Sequence, residues 1–214
     1  RKGRYEVPKE PSGVREKLIS VAVELLSSRS YSAVGVQELC DSAGVTKGSF
    51  YHYFPSKLDL TLAAIDAIWD VYLNDFIEPS LGADLTAREK LDRLSSAFYD
   101  YYSREKESEG FMRGCKLGNL AVELSTQNEA VRLKLERIFL GWIRHFEAAL
   151  RHSVAAGDLP PDTDVEASAR SIIAYLEGLA LLGKTFNDPG FIRRLKGGAY
   201  KLIVLGEGDE ETGD

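Results

Sequence analysis

Residues 36–54 read Val36-Gln37-Glu38-Leu39-Cys40-Asp41-Ser42-Ala43-Gly44-Val45-Thr46-Lys47-Gly48-Ser49-Phe50-Tyr51-His52-Tyr53-Phe54. Apolar residues at helical spacing (Val36, Leu39, Cys40) come first. A small-residue break follows, with Gly44 placed where a left-handed residue ends a helix. Thr46 is a capping residue for a second short helix over 47–53, and Pro55 stops it. Two short helices joined by a glycine turn form a helix-turn-helix. In this reading Ala43 and Val45 pack the elbow, and Phe50 and Phe54, four apart, face the core. The N-terminal half of the second helix then presents Thr46, Lys47, Ser49, Tyr51 and His52, with backbone N–H groups suited to phosphate.

Outward from this motif the periodicity stays helical, with no convincing strand alternation. A first helix is expected from an N-cap at Ser12 to about Ser28, with Leu18, Val21, Ala22, Leu25 and Leu26 as its stripe. Ser56-Lys57-Leu58-Asp59 opens a helix running to Pro79. Further helices are expected over 86–107, 115–125, 128–156, 163–186 and 189–205. The expected fold is all-α, about nine helices. Residues 12–58 are expected to form a three-helix head, 59–205 a helical body, and 206–214 a disordered acidic tail.

The 214 residues are 44% hydrophobic and 28% charged, enough apolar material for a sizeable core. The net charge of −6 is unevenly spread. Residues 1–57 hold nine basic and six acidic side chains, so they carry +3 and the remainder −9. The basic part coincides with the helix-turn-helix, which is where a duplex would feel it. Arg1, Lys2 and Arg4 supply an arm able to reach a groove. Two cysteines are too few for a disulfide framework, which points to a reducing, cytoplasmic setting. No apolar run is long enough to span a membrane.

Enzymatic chemistry finds little support. The histidines are His52, His145 and His152, and the last two lack the i, i+4 spacing of a helical metal site. No phosphate loop, nucleophile elbow or Cys-x-x-Cys is present, so no cofactor and no metal are expected, and a helical enzyme is the weakest alternative.

From Leu18 to about Leu60 the chain resembles the TetR family of bacterial repressors. Tyr31 stands before the second helix, and residues 43–57 read Ala-Gly-Val-Thr-Lys-Gly-Ser-Phe-Tyr-His-Tyr-Phe-Pro-Ser-Lys, a far more specific signature than a generic helix-turn-helix. Gly35 departs from the usual Ser or Thr, which removes a side-chain phosphate contact. The resemblance implies a homodimer that binds double-stranded DNA and a small-molecule effector, with 12–58 as the helix-turn-helix DNA-binding domain and 59–205 as the ligand-binding and dimerisation domain. By it, Lys47, Ser49, Tyr51 and His52 face the groove, Thr46 and Lys57 contact phosphate, and Gln37 touches backbone from the bracing helix. Small residues spaced through 167–183 let a partner helix approach, and with the last helix they imply a four-helix dimer bundle.

Gly114-Cys115-Lys116-Leu117-Gly118-Asn119, with Lys184 to Asp188 later, resembles a TetR subgroup responding to electrophiles or small unsaturated acids. A cysteine at a helix start near Arg113 and Lys116 is expected to have a lowered pKa. Cys115 is then a candidate sensor of electrophilic or oxidising stress, with Lys184 as partner. Tyr102, Asn119, Trp142 and Tyr175 are candidate pocket liners. The alternative for Cys115 is a small buried hydrophobe.

Overall fold

In the computed structural model, which describes residues 13–205, the regular elements are helices, and one isolated antiparallel bridge joins Thr163 to Leu205. The all-α expectation holds. The expected cap Ser12, the arm residues Arg1, Lys2 and Arg4, and the tail 206–214 lie outside the described residues. Two compact units divide the described residues, 13–70 with 119–134, and 71–118 with 135–205. The division between the units falls at residue 70, and a later segment returns to the first unit.

In the first unit α1 (Val14–Ser28) buries Leu18, Ala22 and Leu26. The chain turns at Tyr31–Ala33 into α2 (Val36–Ala43), whose N-cap is Gly35. Gly44 closes α2 at φ 64°, in the left-handed region, and Val45 N–H bonds Cys40 O at 2.9 Å. Glycine alone occupies that region without a Cβ penalty. Thr46 caps α3 (Lys47–Tyr53), accepting the Ser49 N–H. Phe50 and Phe54 are buried as expected, Leu39 and Cys40 of α2 are fully buried, and Ala43 and Val45 at the elbow are half-buried. The helix α4 (Lys57–Val71) buries Leu60, Ala64 and Ile65 in the same unit.

The expected single helix from Ser56 to Pro79 is interrupted. Tyr72–Ile77 is a π-helical turn, and the Glu78 N–H reaches back to Leu73 O before α5 (Glu78–Ser80). Pro79 explains the change. It brings no N–H, and its ring crowds the carbonyl four residues earlier, so a regular α ladder cannot pass Asp75. The π turn sends Tyr72 and Phe76 into an aromatic cluster with Phe98 and Trp142.

In the second unit α6 (Ala87–Glu109) starts from a complete Thr86–Glu89 capping box. After it come α7 (Lys116–Leu124), divided between the units after Gly118, then α8 (Glu129–Ala155) and α9 (Val165–Phe186). The expected last helix, 189–205, is broken. α10 (Gly190–Leu195) gives way to 3₁₀ turns at Lys196–Gly198 and Tyr200–Leu202. Gly197 and Gly198 are poor helix residues, and Tyr175 occupies the space beside the second. A Cβ at Gly198 would lie 2.0 Å from the Tyr175 hydroxyl oxygen, which donates to Leu195 O at 2.8 Å. The chain end is held to α9 by Asp164 N–H to Val204 O and Val204 N–H to Ser168 Oγ, both 3.0 Å.

Candidate nucleic-acid interface and internal cavity

Phe50 fixes one side of α3 in the core, and the other side carries the candidate contacts. Lys47, Tyr51 and His52 are exposed, and Ser49 is half-buried. Tyr51 is 54% exposed, its ring meeting Phe50 edge-on at 5.1 Å. The Thr46 hydroxyl is already engaged, 3.1 Å from both Ser49 N and Ser49 Oγ. Exposed Gln37 donates to Asp41 Oδ1 at 2.7 Å. An aromatic ring, a cation, a hydroxyl and an imidazole thus share the free side of a helix anchored by one buried phenyl.

Lys57 was expected to meet phosphate. The structure turns it inward. Its ammonium donates to Tyr31 O at 2.8 Å and Val34 O at 2.9 Å, and lies 3.7 Å from the Tyr31 ring centre. Burial lowers its pKa, with the Glu123 charge opposing. Lys57 therefore staples the α1–α2 connection to the start of α4. Arg29 is likewise ion-paired with Glu38.

One residue of this unit escapes a sequence reading. Glu123, from α7, accepts the Tyr31 N–H at 2.7 Å. It thereby holds the same connection that Lys57 staples, from a position 92 residues along the chain. Its position at the half-buried end of a short apolar helix gave the one hint. Glu123→Ala leaves that N–H without its acceptor and is expected to lower stability by about 1–3 kcal/mol. Urea unfolding of the variant checks this, with Glu123→Gln retaining part of the loss.

The second unit holds a small, partly open pocket with about 20 Å³ of free space, room for a water molecule. Its polar wall is Ser95, Tyr102, Cys115, Trp142 and Glu177. Three expected liners, Tyr102, Cys115 and Trp142, are thus brought together, and Asn119, Tyr175 and Lys184 are not among the lining residues. Asn119 belongs to the first unit. Tyr175 is tied to Leu195. Exposed Lys184 lies against Gly114, where a Cβ would come within 3.3 Å of the lysine Cβ and Cδ.

The expected lowering of the Cys115 pKa is reversed. Burial pushes the thiol well above its ordinary value, and the Glu177 carboxylate pushes the same way, against a weaker opposing bond from the Gly118 N–H. That N–H donates to Sγ at 3.3 Å, so Cys115 acts as the cap of α7. The nearby cations are drawn elsewhere, Arg113 to Glu109 and Lys116 over the Tyr101 ring. The partner of Cys115 is Glu177, whose carboxyl is hydrogen-bonded to the thiol and raised in pKa by burial. Burial also pushes the Tyr102 phenol well up.

Among the described residues no cluster of His, Cys, Asp or Glu is arranged to hold a metal ion, and no helix is long and apolar enough to cross a membrane. His152 bonds Ala83 O through a ring nitrogen at 2.9 Å.

A helix-turn-helix with a capped recognition-type helix, followed in the chain by a second helical unit, is the architecture of a DNA-binding regulator. Comparison with known proteins agrees. The family described as "Bacterial regulatory proteins, tetR family" matches residues 18–64, and "Tetracyclin repressor-like, C-terminal domain" matches residues 89–197. Transcriptional regulator AcuR of Cereibacter sphaeroides is 33% identical over 185 residues, 86% of this chain and 82% of AcuR. The transcriptional repressor NemR of Escherichia coli is 27% identical over 138 residues, 64% of this chain and 67% of NemR. The crystal structure of a regulatory protein TetR from Rhodobacter sphaeroides aligns with TM-score 0.75 and 31% identity, over 89% of this chain and 99% of that one. The chain belongs to the TetR family of DNA-binding transcriptional regulators.

Proposed function

We propose that this chain is a repressor that leaves a palindromic operator when a small effector enters the cavity of its second unit. The carrying observation is the free side of α3, where Lys47, Tyr51 and His52 are exposed while Phe50 is fully buried. Lys47, Ser49, Tyr51 and His52 read the major groove, and Thr46 and Gln37 meet the backbone. The protein acts as a homodimer in the cytoplasm. Exposed Leu181, Leu182 and Phe186 on α9, with Leu195 on α10, supply apolar surface for the dimer contact. Two recognition helices then address half-sites roughly 34–36 Å apart, or a multiple of that. Release follows as a population shift, because the effector binds better to the dimer whose helices are wrongly spaced for DNA.

Selection of DNA from a random pool tests this reading. The expected result is a two-fold symmetric consensus, bound at least about 10³-fold tighter than random duplex. Sequence-blind binding overturns it in favour of an architectural DNA-binding protein.

A second reading makes Cys115 itself the sensor of electrophilic or oxidising stress. It is favoured by the thiol's place on the cavity wall, hydrogen-bonded to the Glu177 carboxyl. Brief alkylation followed by mass spectrometry decides, and a Cys115 no faster than buried Cys40 ends it.

A further inference from the structure

A larger hollow of the second unit lies between α5, α6 and α8, and it shares no lining residue with the small pocket. It is an open groove with about 330 Å³ of free space, the size of a small-molecule site. α8 contributes His145, Ala149 and His152, which recur at i, i+4 and i+7 on one face of that helix. Glu78 comes from α5, Ala83 from the loop after it, and Lys90 from the first turns of α6.

Lys90 is 2% exposed. Its Nζ donates to Ala149 O at 3.3 Å and to Ser153 Oγ at 3.0 Å. Both acceptors are uncharged. Among the described residues no carboxylate is ion-paired with this nitrogen, and Asp84 and Asp158 act on it only at longer range. An ammonium has three hydrogens and finds two acceptors here. A neutral amine has two hydrogens, both placed, and a lone pair. Burial works in the same direction and lowers the lysine pKa against the two aspartate charges. A buried amine on the wall of an open groove is a nucleophile.

Groups able to move protons stand on the same wall. His152 bonds Ala83 O through Nε2. A carbonyl oxygen accepts, so Nε2 carries the hydrogen, and in the neutral ring Nδ1 holds the lone pair. Glu78 and His145 complete the set. An anion would meet Glu78 in this wall with the Asp84 and Asp158 charges close by, so the groove is no counter-ion site for the lysine. We propose that it captures a small uncharged aldehyde or ketone, with Lys90 as the amine that bonds the carbonyl carbon. The Nζ lone pair attacks that carbon, and the C=O electron pair moves to oxygen. A proton passes from nitrogen to oxygen, giving a carbinolamine. Protonated once more, the hydroxyl departs as water while the nitrogen pair forms C=N. The resulting iminium returns that proton to the group that supplied it. One water leaves, and no oxidant or reductant takes part. The site stands whether or not the smaller pocket admits an effector.

The test treats the full chain with propionaldehyde and cyanoborohydride at neutral pH, which reduces the imine to a stable propylamine, and follows each lysine by peptide mass mapping. Lys90 is expected to be labelled at least about tenfold faster than exposed Lys47 or Lys201, since positioned acid–base groups contribute about 10²- to 10⁴-fold. The preference is expected to vanish in urea above the unfolding midpoint. The double variant Glu78→Gln, His152→Gln is expected to slow labelling of Lys90 by about tenfold or more and to leave Lys47 and Lys201 unchanged. Acetate at the same concentration is expected to give no protection. The proposal is overturned if Lys90 reacts no faster than the exposed lysines, if its preference survives unfolding, or if the double variant labels it at the original rate. Protection of Lys90 by acetate also overturns it, in favour of an anion site.

Discussion

Tyr51→Ala is expected to weaken operator binding by about 5- to 150-fold, the 1–3 kcal/mol of one good base contact, while leaving thermal unfolding unchanged. Tyr51 is 54% exposed and meets the buried Phe50 ring edge-on. Truncating a surface side chain of this kind changes stability by no more than about 0.5 kcal/mol. Its loss therefore registers almost wholly in the complex. Lys47→Ala has a smaller effect of another character. Removing one phosphate-directed cation lowers affinity across all sequences and reduces the salt slope by about 1. Fluorescence anisotropy against labelled operator, at several salt concentrations, separates the two variants. An unchanged Kd with an early melting transition in Tyr51→Ala would show that the ring is structural.

The neighbouring residue is expected to give the opposite signature. Phe50 is fully buried and meets both Tyr51 and Phe54. Phe50→Ala is expected to cost about 3–5 kcal/mol, the loss of a buried ring plus the cavity it leaves. With seven residues, α3 is far too short to persist by its own propensity. It exists because this ring docks it. Operator binding by Phe50→Ala is therefore expected to fall with the unfolded fraction measured by urea titration. Full operator affinity in a Phe50→Ala protein with an unshifted urea midpoint would refute this account of the head.

The contrast between these two positions shows what was legible in the sequence. The helix-turn-helix is encoded locally, by Gly44 at a left-handed position, Thr46 as a cap and Phe50 with Phe54 at helical spacing. Neighbours a few residues apart decide each of these. What escaped is set by partners distant in the chain. Lys57 carries a charge suited to phosphate, and only the fold shows that its ammonium is occupied by Tyr31 O and Val34 O. Part of the head's basic excess is thus directed inward. Cys115 has two cations as sequence neighbours, yet its chemistry is governed by burial and by Glu177 on another helix. The broken end of the chain follows from a tyrosine 23 positions before Gly198. The π turn alone had a local cause, Pro79, whose effect is felt upstream of the proline rather than at it.

The first unit is not one continuous stretch of chain, and this bears on how new sensors are assembled from old ones. Joining the head of one regulator to the body of another at residue 70 would leave behind residues 119–134. The transplanted head would lack Glu123, which receives the Tyr31 N–H, and Lys134, which pairs with Asp66. A functional hybrid has to graft two segments together, the first 70 residues and the later piece.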